Sequence, residues 1–207
     1  MTRIGRVPPG RAGRLWLRRR LDVANRGVDL LERKRRVLQA ERDRLGREAA
    51  RTAAEWTDAS RDADRWLERA VLLGGEQAIG RAAGPPARVT VEWGRSMGAA
   101  FPVRTDCTYP DPADEPLDGP AVAEARDHHR RALAAAVAHA AAVTALRLVD
   151  AELQSTARRK RAISERWIPA LENELARLRL ELEEQEHADI VRRRWAANRS
   201  DTGPQPR

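Results

Sequence analysis

Leu17-Arg18-Arg19-Arg20-Leu21-Asp22-Val23-Ala24-Asn25-Arg26-Gly27-Val28-Asp29-Leu30-Leu31 sets an apolar or small residue at every third or fourth position. The ladder continues through Arg35, Leu38, Arg42, Leu45, Ala49, Thr52, Trp56, Ala59, Ala63, Trp66 and Ala70 to Leu73. A mean spacing of about 3.5 residues keeps one seam of a helix turned toward a partner over many turns, so the pattern predicts a coiled-coil helix. At 1.5 Å per residue that helix is roughly 85 Å long, beyond the diameter of a compact domain. A seam of this length suits a shaft, a spacer or a scaffold better than a pocket-bearing enzyme.

The composition agrees. Of 207 residues, 34% are charged and only 4% aromatic, and much of the apolar share is Ala and Leu, which suits long helices rather than a thick core. The single Cys107 excludes an internal disulfide, as expected in a reducing cytoplasm. The basic start has no apolar run behind it, so no signal peptide is expected. No unbroken stretch of 18 apolar residues is read, so no bilayer-spanning segment is expected either.

The net charge of +8 is unevenly placed. Residues 1–51 hold 16 Arg and Lys against 6 Asp and Glu, whereas residues 171–190 hold two Arg against seven acids. The first block would serve a phosphate-binding surface. The favoured reading pairs the two blocks with one another, the first helix lying antiparallel to the last, since flanking charges set orientation in coiled coils.

Composition divides the chain into an irregular arm (1–13), a first coiled-coil helix (14–73), a Gly/Pro-rich insert (74–120), a second coiled-coil helix (121–197) and a frayed tail (198–207). Gly74-Gly75 ends the first ladder. Within the insert, Arg88 to Trp93 alternates and is β-branched, and Ala99 to Arg104 is a second extended piece, so a β-hairpin is expected. Tyr109 to Asp118 reads as a loop, and Asp118-Gly119-Pro120 as a helix start. Nine of the fourteen residues from Ala132 to Ala145 are Ala, suited to close approach against Ala49 to Ala63. The later seam runs through Leu146, Val149, Leu153, Ile163 and Trp167, then through Ile168, Leu171, Leu175, Leu178 and Leu182, one residue out of phase. Pro169 stands at the slip, where a kink is expected. The fold class predicted is all-α: a long antiparallel two-helix coiled-coil hairpin with a small β-hairpin insert. The first-helix seam residues are Leu17, Leu21, Ala24, Val28, Leu31, Leu38, Leu45, Trp56 and Trp66.

Three ordered motifs carry a resemblance. Arg20 to Arg35, with Arg26, Gly27, Leu30 and Leu31, is followed by Leu38. In the insert stands Met97-Gly98-Ala99-Ala100-Phe101-Pro102. In the last helix stand Arg158-Arg159, Ala162-Ile163 and Ile168-Pro169-Ala170-Leu171-Glu172-Asn173. Together they resemble the D subunit of the V-type and A-type rotary ATPases across almost the whole chain. Arg161 and Ser164 depart from that family's usual Asn and Glu beside the Ala-Ile pair.

The resemblance implies a non-catalytic central rotor shaft that couples ATP synthesis or hydrolysis to ion transport, expected to be of hydrogen ions, by rotation. It implies as partners the alternating A and B subunits of the catalytic ring, the small F subunit, and the funnel-shaped C/d subunit above the membrane rotor ring. It also implies a cytoplasmic position peripheral to the membrane, with no cofactor, no nucleic acid and no direct membrane insertion. The alternatives from composition alone are a basic coiled coil that binds nucleic acid and a dimeric scaffold.

Candidate chemistry is sparse. No glycine-rich loop precedes Lys-Ser/Thr, so no phosphate cradle is read. Adjacent His128 and His129 do not share a helix face as zinc ligands at i and i+4 would, and are expected to be solvated. His139 is expected in or near the seam. Arg35 and Arg42 at seam positions are expected either to lay their stems along the seam and reach acids across it, or to specify register. Trp93, Trp167 and Trp195 are candidate partner anchors, since Trp is enriched at binding hot spots.

Overall fold

The computed structural model describes residues 4–82, 84–110 and 119–200, with side chains described as far as residue 196. It is a helical hairpin with a β insert. Helix α1 (Gly10–Ala82) is followed by β1 (Arg88–Ser96), β2 (Ala99–Thr108), α2 (Pro120–Ala162), a π-helical turn (Ile163–Trp167) and α3 (Ile168–Ser200). The chain divides into two compact units, one made of residues up to Arg33 and from Thr156 onward, the other of Lys34–Ser155.

In the first unit the ladder does what its spacing predicts. Leu17 and Leu171 are fully buried, and Ala24, Leu175 and Leu178 join them in one core, with Trp16, Leu21, Ile163, Trp167, Ile168 and Leu182 packed around it. The arm also belongs to this core. Ile4 and Val7 pack against it, and the Pro8 carbonyl lies where a Cβ on Gly13 would stand, so only glycine admits that approach. Helix α1 therefore opens at Gly10, four residues before Arg14. Lys160 Nζ donates to Glu32 Oε2 across the pair at 2.8 Å, and Arg11 reaches Glu186 at 3.0 Å. The second of these pairs is largely exposed and contributes little, though it joins the basic and acidic blocks as their charges suggested.

The π turn explains the phase slip. Seam positions leading into and through it (Val149, Leu153, Thr156, Lys160, Ile163, Trp167) and after it (Leu171, Leu175, Leu178) are each regular, but offset by one residue. A turn closed by i→i+5 bonds takes up one residue more than an α turn. The Ile168 N–H accordingly donates to the Ile163 carbonyl. Pro169 follows at once; it has no N–H to give and its ring crowds the carbonyl four residues back, so a widened turn costs least at this point. The slip is thus absorbed as a wide turn, with Pro169 just beyond it.

In the second unit Leu38, Leu45, Ala145 and Val149 form a core with Ala99 and Phe101 of the insert. The β-hairpin therefore lies on the helix pair through β2. Strands β1 and β2 pair antiparallel from Arg88↔Thr108 to Ser96↔Ala99, with an irregularity between Glu92 and Trp93. Both strands run further than expected. The turn is the two residues Met97 and Gly98, with φ of 48° and 86°. Two positive φ values in a two-residue loop suit the twist of a hairpin, and Gly98 takes its place freely. Met97 does not: a side chain in the left-handed region costs about 1 kcal/mol. Met97→Asn should therefore raise the thermal unfolding midpoint of the chain, because Asn-Gly is the preferred pair for this turn. An unchanged or lower midpoint would contradict the strain.

Arg42 Nε donates to Asp150 Oδ1 at 3.0 Å, so its head does reach an acid across the seam. Lys34 Nζ donates to Glu152 Oε1 at 2.6 Å, both groups about one-quarter exposed. Reversing one charge by Glu152→Lys should cost about 1 kcal/mol. Adding Lys34→Glu should restore most of it, which a double-mutant cycle in urea reads directly.

Helix α1 also continues past Gly74-Gly75, where the ladder was expected to stop. Gly75, at φ 76° and ψ 165°, breaks the helical backbone, and a helical segment then runs on to Ala82. Ala70, Ala78, Val122 and Ala125 bury one another there. The last ladder residue, Leu73, is 79% exposed. Trp56 stands at the edge of the seam rather than inside it, because the adjoining core positions are small (Ala49, Thr52, Ala63) and the helices approach closely. The helix from Pro120 to Ala196 contains an 18-residue window of mean hydropathy 1.8, long and apolar enough to cross a membrane by length and composition alone. This corrects the expectation of no such stretch. The sequence reading required an unbroken apolar run, whereas alanine raises the mean even around His139 and Arg147. The expected start at Asp118, the loop from 111 to 118 and the tail beyond 200 lie outside the described residues.

Candidate functional site

Among the described residues, no three His, Cys, Asp or Glu side chains come together as a metal site. The described surface offers two largely apolar grooves, a charged hollow beside Asp58 and Arg65, and a set of exposed motif residues.

The first groove, about 660 Å³, runs beside the π turn, lined by Trp16, Arg19, Arg20, Val23, Ala24, Gly27, Ile163 and Trp167. The wide turn and the missing side chain of Gly27 leave the space open. The Arg20 guanidinium stacks over the Trp16 ring at 4.5 Å, and Val23 is largely exposed. Two tryptophans rimmed by arginine form the kind of surface on which binding hot spots are found.

The second groove, about 630 Å³, lies where the end of α1, the end of the insert and the start of α2 meet, with Leu67, Ile79, Tyr109, Val122 and Leu133 among its walls. Tyr109 fastens the insert to α2. Its hydroxyl donates to the Arg130 carbonyl at 2.6 Å, and the Arg130 guanidinium lies 5.0 Å from its ring. Burial first, then the neighbouring Cys107, pushes the phenol up to about 12. It therefore keeps its proton, and this donor, throughout the neutral range. Further along α1, the hydrogen bond from Arg44 holds the Glu41 carboxyl below its ordinary range, which keeps that pair ionised on the outer face.

The motif residues divide into two sets. Leu171 and Pro102 are buried, and Leu31, Gly27, Ile168 and Pro169 are half-buried. Arg26, Leu30, Met97, Arg158, Arg159, Glu172 and Asn173 are exposed, so the internal packing of these units does not account for them. The structure does not gather the exposed set into one pocket. Trp93 and Trp195 are also exposed, whereas Trp167 lines the first groove. The sequence reading missed the cross-helix pairs Glu32–Lys160 and Lys34–Glu152. The signal available was opposite charge at the flanks of facing seam positions. His128, expected to be solvated, is instead packed against Trp66, with its side chain 17% exposed.

Known proteins align with nearly all of this sequence. The family model for the D subunit of ATP synthase matches residues 15–198. The chain is 34% identical over 203 residues to the V-type ATP synthase D subunit of Anaeromyxobacter sp. (strain Fw109-5), covering 94% of each. It is 33% identical over 201 residues to the protein of the same name from Anaeromyxobacter dehalogenans (strain 2CP-C), covering 92% of this chain and 95% of the relative. Against that of Thermus thermophilus it is 31% identical over 198 residues, covering 91% of this chain and 86% of the relative. Matched along the two long helices and the β insert between them, the chain belongs to the family of ATP synthase D subunits.

Proposed function

We propose that this chain is the central rotor shaft of a V-type ATP synthase and that it performs no bond chemistry of its own. It couples nucleotide turnover in a surrounding catalytic ring to hydrogen-ion transport by turning within the complex. The observation that carries this reading is the surface left over once each unit has been packed. Polar and basic motif residues (Arg26, Arg158, Arg159, Glu172, Asn173) face outward, while the apolar ladder beneath them is consumed in holding the two helices together.

Coupling by such a part is allosteric: the shaft presents an uneven surface, and each orientation favours a different state of the subunits around it. In the first unit, that unevenness is concentrated at the Trp16–Trp167 groove, which we assign to contact with the A and B subunits of the ring. The second unit supplies the exposed β1 face, with Val89, Val91 and Trp93, and the Tyr109 groove. These we assign to the F subunit and to the funnel-shaped C/d subunit that seats the shaft on the membrane rotor. The chain then works peripherally to the membrane, on its cytoplasmic side.

The test is a tagged chain purified from gently solubilised membranes of its own cell. The expected result is a multi-subunit complex that hydrolyses ATP, with Trp167→Ala lowering ATP-driven proton pumping more than assembly. Recovery of the chain alone, or with nucleic acid released by salt, would overturn the reading.

A further inference from the structure

Two histidines of α2 lie flat against two tryptophans of α1. His139 stacks on Trp56 with ring centroids 5.6 Å apart and planes at 21°. His128 stacks on Trp66 at 5.7 Å and 17°. The pairs are ten residues apart on α1 and eleven on α2, so the same contact is made twice along the alanine-rich part of the helix pair. Nothing in the rotor reading uses either of them, and the inference does not rest on that reading.

The surroundings of His139 fix its hydrogen bonding. Buried Thr52 has one hydroxyl hydrogen and three neighbours for it: the Glu48 carbonyl at 3.0 Å, the Ala49 carbonyl at 3.2 Å and His139 Nδ1 at 3.2 Å. Given to a helix carbonyl, that hydrogen leaves an oxygen lone pair facing Nδ1. Nδ1 then carries the ring's hydrogen in the neutral form, and a proton added at Nε2 breaks no existing bond. One turn either way on α2, residues 135, 136, 142 and 143 are Ala, Ala, Ala and Val. On α1 Glu48 and Glu55 stand within one turn of Thr52, and both pair with Arg51. The β-hairpin meets α2 beyond this point, at Ala145 and Val149.

His128 has a different environment. Glu124 Oε2 is 3.9 Å from its Nε2, and Arg131 stands one turn on along α2. On α1 the Arg69 guanidinium lies 4.8 Å from the Trp66 ring, and Asp62 pairs with Arg65 one turn before. Among the described residues, then, His139 meets a hydroxyl at Nδ1, whereas His128 has a carboxylate near Nε2 to receive an imidazolium.

We propose that these two stacks are proton-tightened braces between α1 and α2. Imidazole gains its proton within the physiological pH range, and a cation over an indole face is held more strongly than a neutral ring. Acidification therefore grips the helix pair more firmly where its seam is made of small residues and has least apolar area to hold it.

The full-length chain tests this by backbone hydrogen exchange at pH 8 and pH 6, each corrected for intrinsic exchange rates. Protection over residues 48–70 and 124–143 should rise roughly two- to fivefold at pH 6. The rise should be lost locally in His139→Gln and His128→Gln, and unit-one amides around Leu171 should not share it. Tryptophan emission should fall over the same pH interval, as an imidazolium quenches an indole it touches, and the fall should be smaller in Trp56→Leu. Equal pH responses in the wild type and in the double glutamine variant would overturn the proposal. If that variant does not fold, wild-type emission and exchange that stay flat from pH 8 to pH 6 overturn it alone.

Discussion

Inserting one alanine after Ser164 should unfold the unit built on Leu17 and Leu171, while deleting Ser164 should leave it folded. The asymmetry follows from the π turn. Each residue of an α-helix turns the chain by about 100°, so an added residue swings everything beyond it away from the partner. The extra residue already present is accommodated by the wide turn from Ile163 to Trp167, and the leucines beyond it meet Leu17 and Ala24 in phase. A second extra residue has no such turn to enter. Leu171, Leu175 and Leu178 would leave the core, and at roughly 1.5–3 kcal/mol for each buried leucine the loss is at least about 5 kcal/mol. That is comparable to the whole stability of a small domain.

Deletion works the other way. Removing the extra residue brings positions 171, 175 and 178 into direct continuation of the 149–163 spacing. What remains is a proline in a regular helix, costing about 3 kcal/mol. Circular dichroism during heating, with hydrogen exchange at the leucine amides, distinguishes the two. An insertion variant as stable as the wild type would mean that the turn does not set the phase.

Phe101→Ala should release the β-hairpin from the helices. Phe101 is 3% exposed and reaches, with Ala99, into the core of Leu38, Leu45, Ala145 and Val149. Large-to-small changes of this kind cost about 3–5 kcal/mol, and an isolated two-stranded hairpin is at best marginally stable in water. The strand amides of β1 and β2 should therefore exchange freely, while the amides of α1 and α2 beside Leu38 and Val149 lose protection only in part. Uniform loss across both helices would show that the hairpin is a structural keystone of that unit rather than a body docked upon it.

Much of this architecture was written in the spacing of residues. The ladder from Leu17, the second seam around Leu171 and the alternation of Arg88 to Trp93 each follow from a local period, and each formed the element its period predicts. The misreadings arose where one pattern admits two physical answers. A one-residue slip beside Pro169 marks an irregularity whose form the spacing leaves open, and only the backbone shows it as a wide turn from Ile163 to Trp167. Gly74-Gly75 reads as a stop, yet a single residue with positive φ lets a helix resume if Ala78 finds Val122 to cover it. Histidine beside tryptophan across two helices has no sequence signature, because the pairing depends on register. The ion pairs of Lys34 and Glu32 had a signal in their opposite charges, but their partners Glu152 and Lys160 could be named only once the register was known. The exposed motif residues are the converse case: the sequence marked them, and the cores of the two units leave most of them at the surface.

The break at Gly75 bears on how force crosses the second unit. An unbroken helix resists twisting through its ladder of backbone hydrogen bonds, and that ladder is interrupted where ψ reaches 165°. A torsional load arriving along α1 cannot pass the joint by the main chain. It must step sideways through the contacts of Ala70 and Ala78 with Val122 and Ala125, and enter α2 as a shear between small side chains. The stiffness of that corner then rests on side-chain packing, four small buried residues with Trp66 and Ile79 against them, and a single methyl group added or removed there alters the gearing.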